Sequence, residues 1–232
     1  MLGFLRRSLD VVKEGGIKIL KANPTPWNNE QLLLRLNSVK DLENWAVGCD
    51  KDVGGFSDSK LEITEEGFGK FHGNISLDVP KDNPRITRSG YAGIRSKVHG
   101  SSLFGIRCWD TSLFRYLYIR ARGDNKKYFV NIQTDGPIIT DLFQHRLFLR
   151  NPGEWETVLI PFRDFILTNH GIVQDPQMEM YREKVKTVGF SILSQPGPFR
   201  LDIDCIKAIN TDSTDGDWNI QPPMQNHDKN FI

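Results

Sequence analysis

Beyond "NPTPWNNE", whose Pro24 and Pro26 close the segment before it, the chain breaks into short runs that alternate apolar and polar residues. A period of two sends successive side chains to opposite faces, so each run can cover a core with one face and meet solvent with the other. The runs lie near 32–36, 43–47, 59–65, 70–78, 91–98, 116–122, 127–134, 155–160, 186–193 and 199–206, most of them separated by Gly, Pro, Asn or Asp clusters. That pattern predicts an all-β sandwich or jelly roll. The clearest pair is "YLYIRARGDNKKYFVNIQT", where Gly123, Asp124 and Asn125 supply turn chemistry for a hairpin.

Helical signals are few. "DPQMEMYREKV" predicts a helix capped by Asp175 with Pro176 at its first position, and "PFRDF" at 161–165 predicts a single turn. At the start, Leu2, Leu5, Leu9, Val12 and Ile19 fall at helical steps interrupted by Gly16, flanked by Arg6, Arg7, Lys13, Lys18 and Lys21. This amphipathic helix over 1–22 packs on the domain, lies on a membrane surface or serves in targeting. It lacks the continuous apolar run of a secretory signal, and Asp10 and Glu14 are unusual in a mitochondrial presequence. The expected organisation is this helix, one β domain over 32–210, and a polar, flexible tail over 211–232.

Composition narrows the classes. Thirty Lys and Arg balance 29 Asp and Glu, so the chain carries no net field that would draw nucleic acid. Cys49, Cys108 and Cys205 are odd in number and widely spaced, which fits free thiols in a reducing compartment.

The stretch "DKDVGGFSDSKLEI" at 50–63 can be a cation loop, a phosphate cradle or a tight turn. As a helix–loop–helix calcium loop beginning at Asp50, it has Asp52 and Gly55 in place. Gly54 fails the fifth position and Leu61 the twelfth, so only a looser rim site stays open. No Gly-Lys-Ser/Thr follows Gly54-Gly55, and "GFGKFHG" is flanked by strands where a dinucleotide turn needs a helix. The histidines are dispersed at 72, 99, 145, 170 and 227 without metal-ligand spacing, and no nucleophile elbow occurs. Asp202 and Asp204 share one strand face, as a solvated pair or an acid–base pair. The expectation is a non-enzyme with no cofactor and no metal.

A recognition surface is easier to find. In register, the predicted hairpin would bring Tyr118 and Arg120 onto one sheet surface with Asn131 and Gln133, a mixture suited to a polar partner or a sugar. The same face can equally be an ordinary polar surface covered by a loop or by the first helix.

Taken in order, "WAVGCDKDVGGFSDSKLEI", "FHGNIS", "GYAGIRSK", "YLYIRARGDNKKYFVNIQT", "WETVLIPFRDF" and "KTVGFSIL…GPFRLDIDCIKA" resemble the complex I intermediate-associated protein family, the 30-kDa assembly factors of mitochondrial NADH:ubiquinone oxidoreductase. The resemblance covers roughly residues 32–210. It implies a galactose-binding-like jelly roll and a non-catalytic, chaperone-like assembly factor. It also implies a place on the matrix side, peripheral to the inner membrane, beside subunits of a membrane-arm intermediate and other assembly factors. Asp52, Gly54, Gly55, Ser57 and Ser59 match the family's Asp-x-Gly-Gly-x-Ser-x-Ser signature, read as a shaped turn that can also touch a partner. A competing reading is a carbohydrate-binding jelly-roll module with Trp109, Trp155 and Tyr91 as platforms.

Overall fold

The computed structural model describes residues 29–81, 89–98, 100–102 and 105–211. The expected N-terminal helix over 1–22 and all of the expected tail except Thr211 lie outside them. Two antiparallel sheets face each other across one core, the sandwich that the alternation predicts.

The first sheet contains β1 (Glu30–Arg35), β3 (Asp58–Ile63), β4 (Gly69–Ile75), β8 (Tyr116–Gly123), β11 (Glu156–Pro161) and β15 (Gly197–Ile209). Its order is β11-β8-β15-β4-β3. The long β15 is central: its first half pairs with β4, and its second half pairs along that same edge with β1. The second sheet runs β13 (Ile172–Val173), β12 (Ile166–Asn169), β10 (Asp141–Leu147), β9 (Tyr128–Thr134), β14 (Val185–Leu193), β5 (Tyr91–Ser96), β2 (Trp45–Cys49). A two-residue pair, β6 (Ser101–Ser102) with β7 (Gly105–Ile106), and a four-residue helix α1 (Val39–Leu42) complete the set with three 3₁₀ turns.

The inner faces follow the alternation. Leu117, Ile119 and Ala121 of β8 and Leu201 and Ile203 of β15 are fully buried. So are Val130 and Ile132 of β9 and Val188, Phe190 and Ile192 of β14 from the opposite sheet. Phe71 and Phe199 meet edge-on at 4.9 Å within this layer. In β15 the register slips between Ile203 and Cys205, a bulge that inserts one residue. The phase of the core therefore moves from Leu201 and Ile203 to Ile206 and Ala208, and Cys205 does not continue the buried row as strict alternation predicts.

Three expectations are corrected. First, β8 and β9 do not pair. β8 lies between β11 and β15, and β9 between β10 and β14, so the two are in different sheets. The segment between them crosses from sheet to sheet, pinned by the Asp124 carboxylate. It accepts from the Lys126 amide (2.9 Å), the Tyr128 hydroxyl (2.9 Å) and the Arg200 amide (2.8 Å).

Second, no helix forms over 175–185; only Arg182–Lys184 makes a 3₁₀ turn. The side chain of Gln177 acts there as a surrogate backbone. Its Oε1 accepts from the Leu167 amide at 2.7 Å, and its Nε2 donates to the Leu167 carbonyl at 3.1 Å. An amide completing β12 in this way holds its own segment extended, and local propensity yields to it. The turn expected at 161–165 is present as a 3₁₀ turn over Phe162–Asp164.

Third, β10, β12, β13 and the short β6–β7 pair are additional strands. In "DLFQHRL" the inward His145, kept neutral by burial that pushes its pKa down, sits among polar neighbours and hides the alternation.

Candidate functional site

The stretch "DKDVGGFSDSKLEI" folds into a knot that ties β2 of one sheet to β3 of the other. At its centre the Asp50 carboxylate is buried. It accepts from the Ser57 amide and hydroxyl (2.8 Å each), the Ser89 hydroxyl (2.8 Å) and the amides of Gly90 (2.5 Å) and Tyr91 (3.2 Å). Burial alone pushes this carboxyl up. The donors, led by the Gly90 amide, outweigh it and hold the group below its ordinary value.

Gly54 turns the chain at φ 102°, a left-handed conformation that favours glycine. Gly55 leaves the carboxylate room, since a Cβ there would lie 2.5 Å from the Asp50 carboxyl carbon. Ser57 also accepts from the Ser76 amide at 3.1 Å, joining the loop after β4. The signature thus splits in two. Gly54, Gly55 and Ser57 build the knot, Asp52 accepts from the Cys49 amide at its rim (3.1 Å), and Ser59 reaches the Gly48 carbonyl at 3.4 Å. The turn presents Val53 and Phe56 to solvent. Five donors on one carboxylate leave it no face for a cation, and among the described residues no three His, Cys, Asp or Glu side chains are grouped to hold a metal.

The outer face of the first sheet carries a second cluster. Asp202, almost completely buried, accepts from Arg122 Nε (2.9 Å) and from Arg200 Nε and Nη2 (2.9 Å each). Asp204 accepts from Arg120 Nη1 (3.0 Å) and Asn37 Nδ2 (2.8 Å). The indole of Trp155 holds both guanidinium groups, with Arg120 and Arg122 at 5.4 and 5.0 Å from the ring and Phe68 tilted against it at 4.6 Å. Asp202 and Asp204 are therefore neither a solvated pair nor an acid–base pair; each is neutralised by arginine.

Tyr118 continues this face, its hydroxyl 3.4 Å from Thr157 Oγ1 and the Lys207 ammonium 5.5 Å from its ring. Arg120 is nearly half exposed there.

Asn131 and Gln133 lie on the other sheet, so the single surface expected of the four residues does not exist. Asn131 belongs to a ladder across four adjacent strands: Thr168 Oγ1 donates to Gln144 Oε1 (2.9 Å), Gln144 Nε2 to Asn131 Oδ1 (2.6 Å), and Asn131 Nδ2 to Ser191 Oγ (2.9 Å). Gln133 Nε2 donates to the Ile139 carbonyl at 2.7 Å and fixes the loop after β9. These amides are engaged internally.

Sequence reasoning weighed Asp50 only as the first position of a calcium loop, not as a buried acceptor, and Trp155 only as a sugar platform. The available signal for Asp50 was the glycine pair four residues on, of which Gly54 makes the left-handed turn and Gly55 leaves room for the carboxyl. Trp109 is tied into the second sheet by a bridge to Val185, and the Tyr91 ring folds over Gly93, where a Cβ would meet its hydroxyl at 2.5 Å. The three named aromatics thus form no common platform. Cys49, Cys108 and Cys205 are free, and burial pushes the thiols of Cys108 and Cys205 up, away from the reactive thiolate.

This architecture defines a jelly-roll β-sandwich of the kind found in carbohydrate-binding modules. The family 11 carbohydrate-binding module of a Clostridium thermocellum cellulosomal cellulase superposes with a TM-score of 0.52 at 16% identity, over 78% of this chain and 95% of that one. A complex of a family 11 module with a mixed-linked tetrasaccharide gives 0.51 at 14%, over 78% and 96%. At such identity the likeness is one of fold.

Sequence identifies the family. The model of complex I intermediate-associated protein 30 matches residues 34–203, and the chain belongs to that family. It is 44% identical over 144 residues to the Neurospora crassa mitochondrial complex I intermediate-associated protein 30, covering 62% of this chain and 52% of that protein. The Drosophila melanogaster and Mus musculus proteins of that name are 35% and 32% identical, over 71% and 76% of this chain and 58% and 55% of theirs. The chain spans about half the length of these relatives.

Proposed function

We propose that this chain is a non-catalytic assembly factor that binds, in the manner of a chaperone, an intermediate of the mitochondrial complex I membrane arm. It would work on the matrix side, peripheral to the inner membrane and alongside other assembly factors. The observation that carries this reading is the family match, which spans most of both sheets and includes the Asp50 knot and the Trp155 cluster. Among the described residues no helix is long and apolar enough to cross a membrane, which suits attachment through a partner.

The contact surface is narrowed by the geometry. Asn131 and Gln133 spend their amides within the second sheet, so the Tyr118–Arg120 face and the outer side of the Asp52–Ser59 turn are the candidates. Arg120 is held by Asp204 and Trp155 and still offers its guanidinium to solvent, a pre-ordered cation of the type that anchors interfaces. Val53 and Phe56 add exposed apolar area on the turn.

The test is native-gel fractionation of detergent-solubilised mitochondrial membranes, with identification of co-migrating proteins. Co-migration with membrane-arm subunits in a species smaller than mature complex I is expected. A free soluble species without such companions overturns the reading. The effect of Arg120→Ala on a stably expressed chain then locates the contact: a reduced yield of complex I supports the Arg120 face, and an unchanged yield removes it.

A further inference from the structure

One end of the sandwich is apolar and open. There the β9–β10 loop and the turn joining β12 to β13 stand side by side, since Asp141 pairs with Asn169 and Asn169 Nδ2 donates to Thr140 Oγ1 at 2.8 Å. The β9–β10 loop carries Ile138 and Ile139, and β13 itself Ile172 and Val173, each 54–75% exposed. Tyr181 lies against Gly136 beside them. The adjoining loop contributes Leu113, 65% exposed, and is joined to the 181–184 segment by Arg182 Nη1 donating to the Phe114 carbonyl at 3.0 Å. Single exposed apolar side chains are ordinary, whereas five aliphatics and a tyrosine gathered at one end mark a surface that something covers.

The chain enters the fold at this same end. The Asn210 amide donates to the Asn29 carbonyl and Asn210 Nδ2 to the Leu113 carbonyl, both at 2.8 Å. The 28 residues before Asn29 include the stripe of Leu2, Leu5, Leu9 and Val12. A six-residue connection over 23–28 spans at most about 20 Å. Among the described residues another exposed apolar pair, Phe56 and Val79, lies past the opposite end of β15, a strand long enough to separate the two by about 40 Å. Charge agrees: residues 1–22 hold five bases and two acids, whereas the segments 107–115, 135–141 and 169–184 hold six carboxylates and four Lys or Arg.

We propose that residues 1–22 dock on this end of their own domain, laying the Leu2–Val12 stripe across Ile138, Ile139, Ile172, Val173, Leu113 and Tyr181. This goes beyond the assembly reading and stands or falls without it. The docked segment is an intramolecular cap that holds both apolar surfaces away from water.

Hydrogen exchange on the full chain, compared with its Leu5→Asp/Leu9→Asp variant, tests it. Amides at 136–140 and 171–173 are expected to exchange about tenfold faster in the variant, and those of the Asp50 knot unchanged, which also shows that the variant is folded. Equal exchange in both chains overturns the proposal. So does protection of the tips that appears only on adding vesicles of phosphatidylcholine and phosphatidylglycerol, which would make lipid the occupant. A second measurement keeps Leu5 and Leu9 intact. In a chain with Cys49, Cys108 and Cys205 replaced by Ser, oxidation should cross-link Val12→Cys to Ile139→Cys and not to Phe56→Cys. Equal yields for the two pairs overturn the proposal.

Discussion

Gly55 has no side chain because the carboxyl of Asp50 occupies its place: a Cβ at Gly55 would stand 2.5 Å from the Asp50 carboxyl carbon. Aspartate and glycine are thus two halves of one device, a charge taken out of water and the empty space that lets the backbone close over it. Replacing Asp50 with Asn removes the charge and turns one acceptor into a donor facing donors. It should cost about 3 kcal/mol, measured by urea unfolding. Asp52→Asn, at the exposed rim, should stay within about 0.5 kcal/mol. Equal effects at the two positions would refute the central role of Asp50.

Gly55→Ala should reproduce much of the Asp50 loss without touching a charge, at about 2 kcal/mol or more, because backbone or carboxylate must shift to admit the methyl group. In the Asp50→Ala background there is room for that methyl, and the cost should fall. The cycle of four unfolding free energies reads this coupling, and strict additivity would argue against it.

Acid should unfold the domain in two stages. Burial depresses the His145 pKa, so the unfolded chain takes up a proton below the ordinary value of 6.5 while the folded chain resists, and stability declines from there. The Asp50 carboxylate contributes stability that is complete above its ordinary value of 3.8 and is lost as pH falls through its lower folded value. His145→Gln should flatten the first stage and Asp50→Asn the second, in unfolding free energies collected between pH 7 and pH 3.

On the outer face of the first sheet, Asp202→Asn should destabilise by about 2–3 kcal/mol, since it strands two arginines drawn together around one carboxylate. Combined with Arg122→Gln the loss should be smaller than the sum, by about 1 kcal/mol or more. Full additivity would show that the ion pair is only proximity.

Gln177→Ala should release the edge of β12. The expected cost is about 1 kcal/mol, with faster exchange of the Leu167 amide that Gln177 Oε1 now accepts from. Unchanged exchange at Leu167 would show that the glutamine is dispensable to this edge.

The residues explain which parts of this structure were legible in advance. Leu117, Ile119 and Ala121 alternate cleanly, so β8 and its inner face could be read directly. The Gly123–Asn125 cluster signals that the chain reverses, but turn chemistry does not specify which sheet the returning strand joins. The sheet is set by the pairing of β9 with β10 and β14, and the crossing segment is pinned by Asp124 to Arg200, a contact 76 residues away in sequence. The Asp175-Pro176 cap and the spacing after it are genuine helix signals, overridden by a single glutamine that completes a neighbouring strand. In the Asp50–Ser59 turn, residue types that also make ligand loops surround one of their own members, whose donors come from Ser57 within the turn and from Ser89, Gly90 and Tyr91 about forty residues on. The Arg–Trp–Arg layer was invisible because its parts come from β8, β15 and the residue before β11, and only the register brings them together.

The centrality of β15 carries a consequence for how the molecule comes into being. Its thirteen residues, Gly197–Ile209, pair with β1, β4 and β8, strands that occur far earlier in the chain. Until those residues have left the ribosome, or crossed whatever pore delivers them, the first sheet is two separate strand pairs, β11–β8 and β4–β3, and an unpaired β1, with no seam between them. Closure of the first sheet therefore waits on β15, the last strand among the described residues, and closes over long loops, which favours slow folding of a partly made chain. A protein proposed to guard an unfinished complex has an unfinished sheet of its own until β15 is in place.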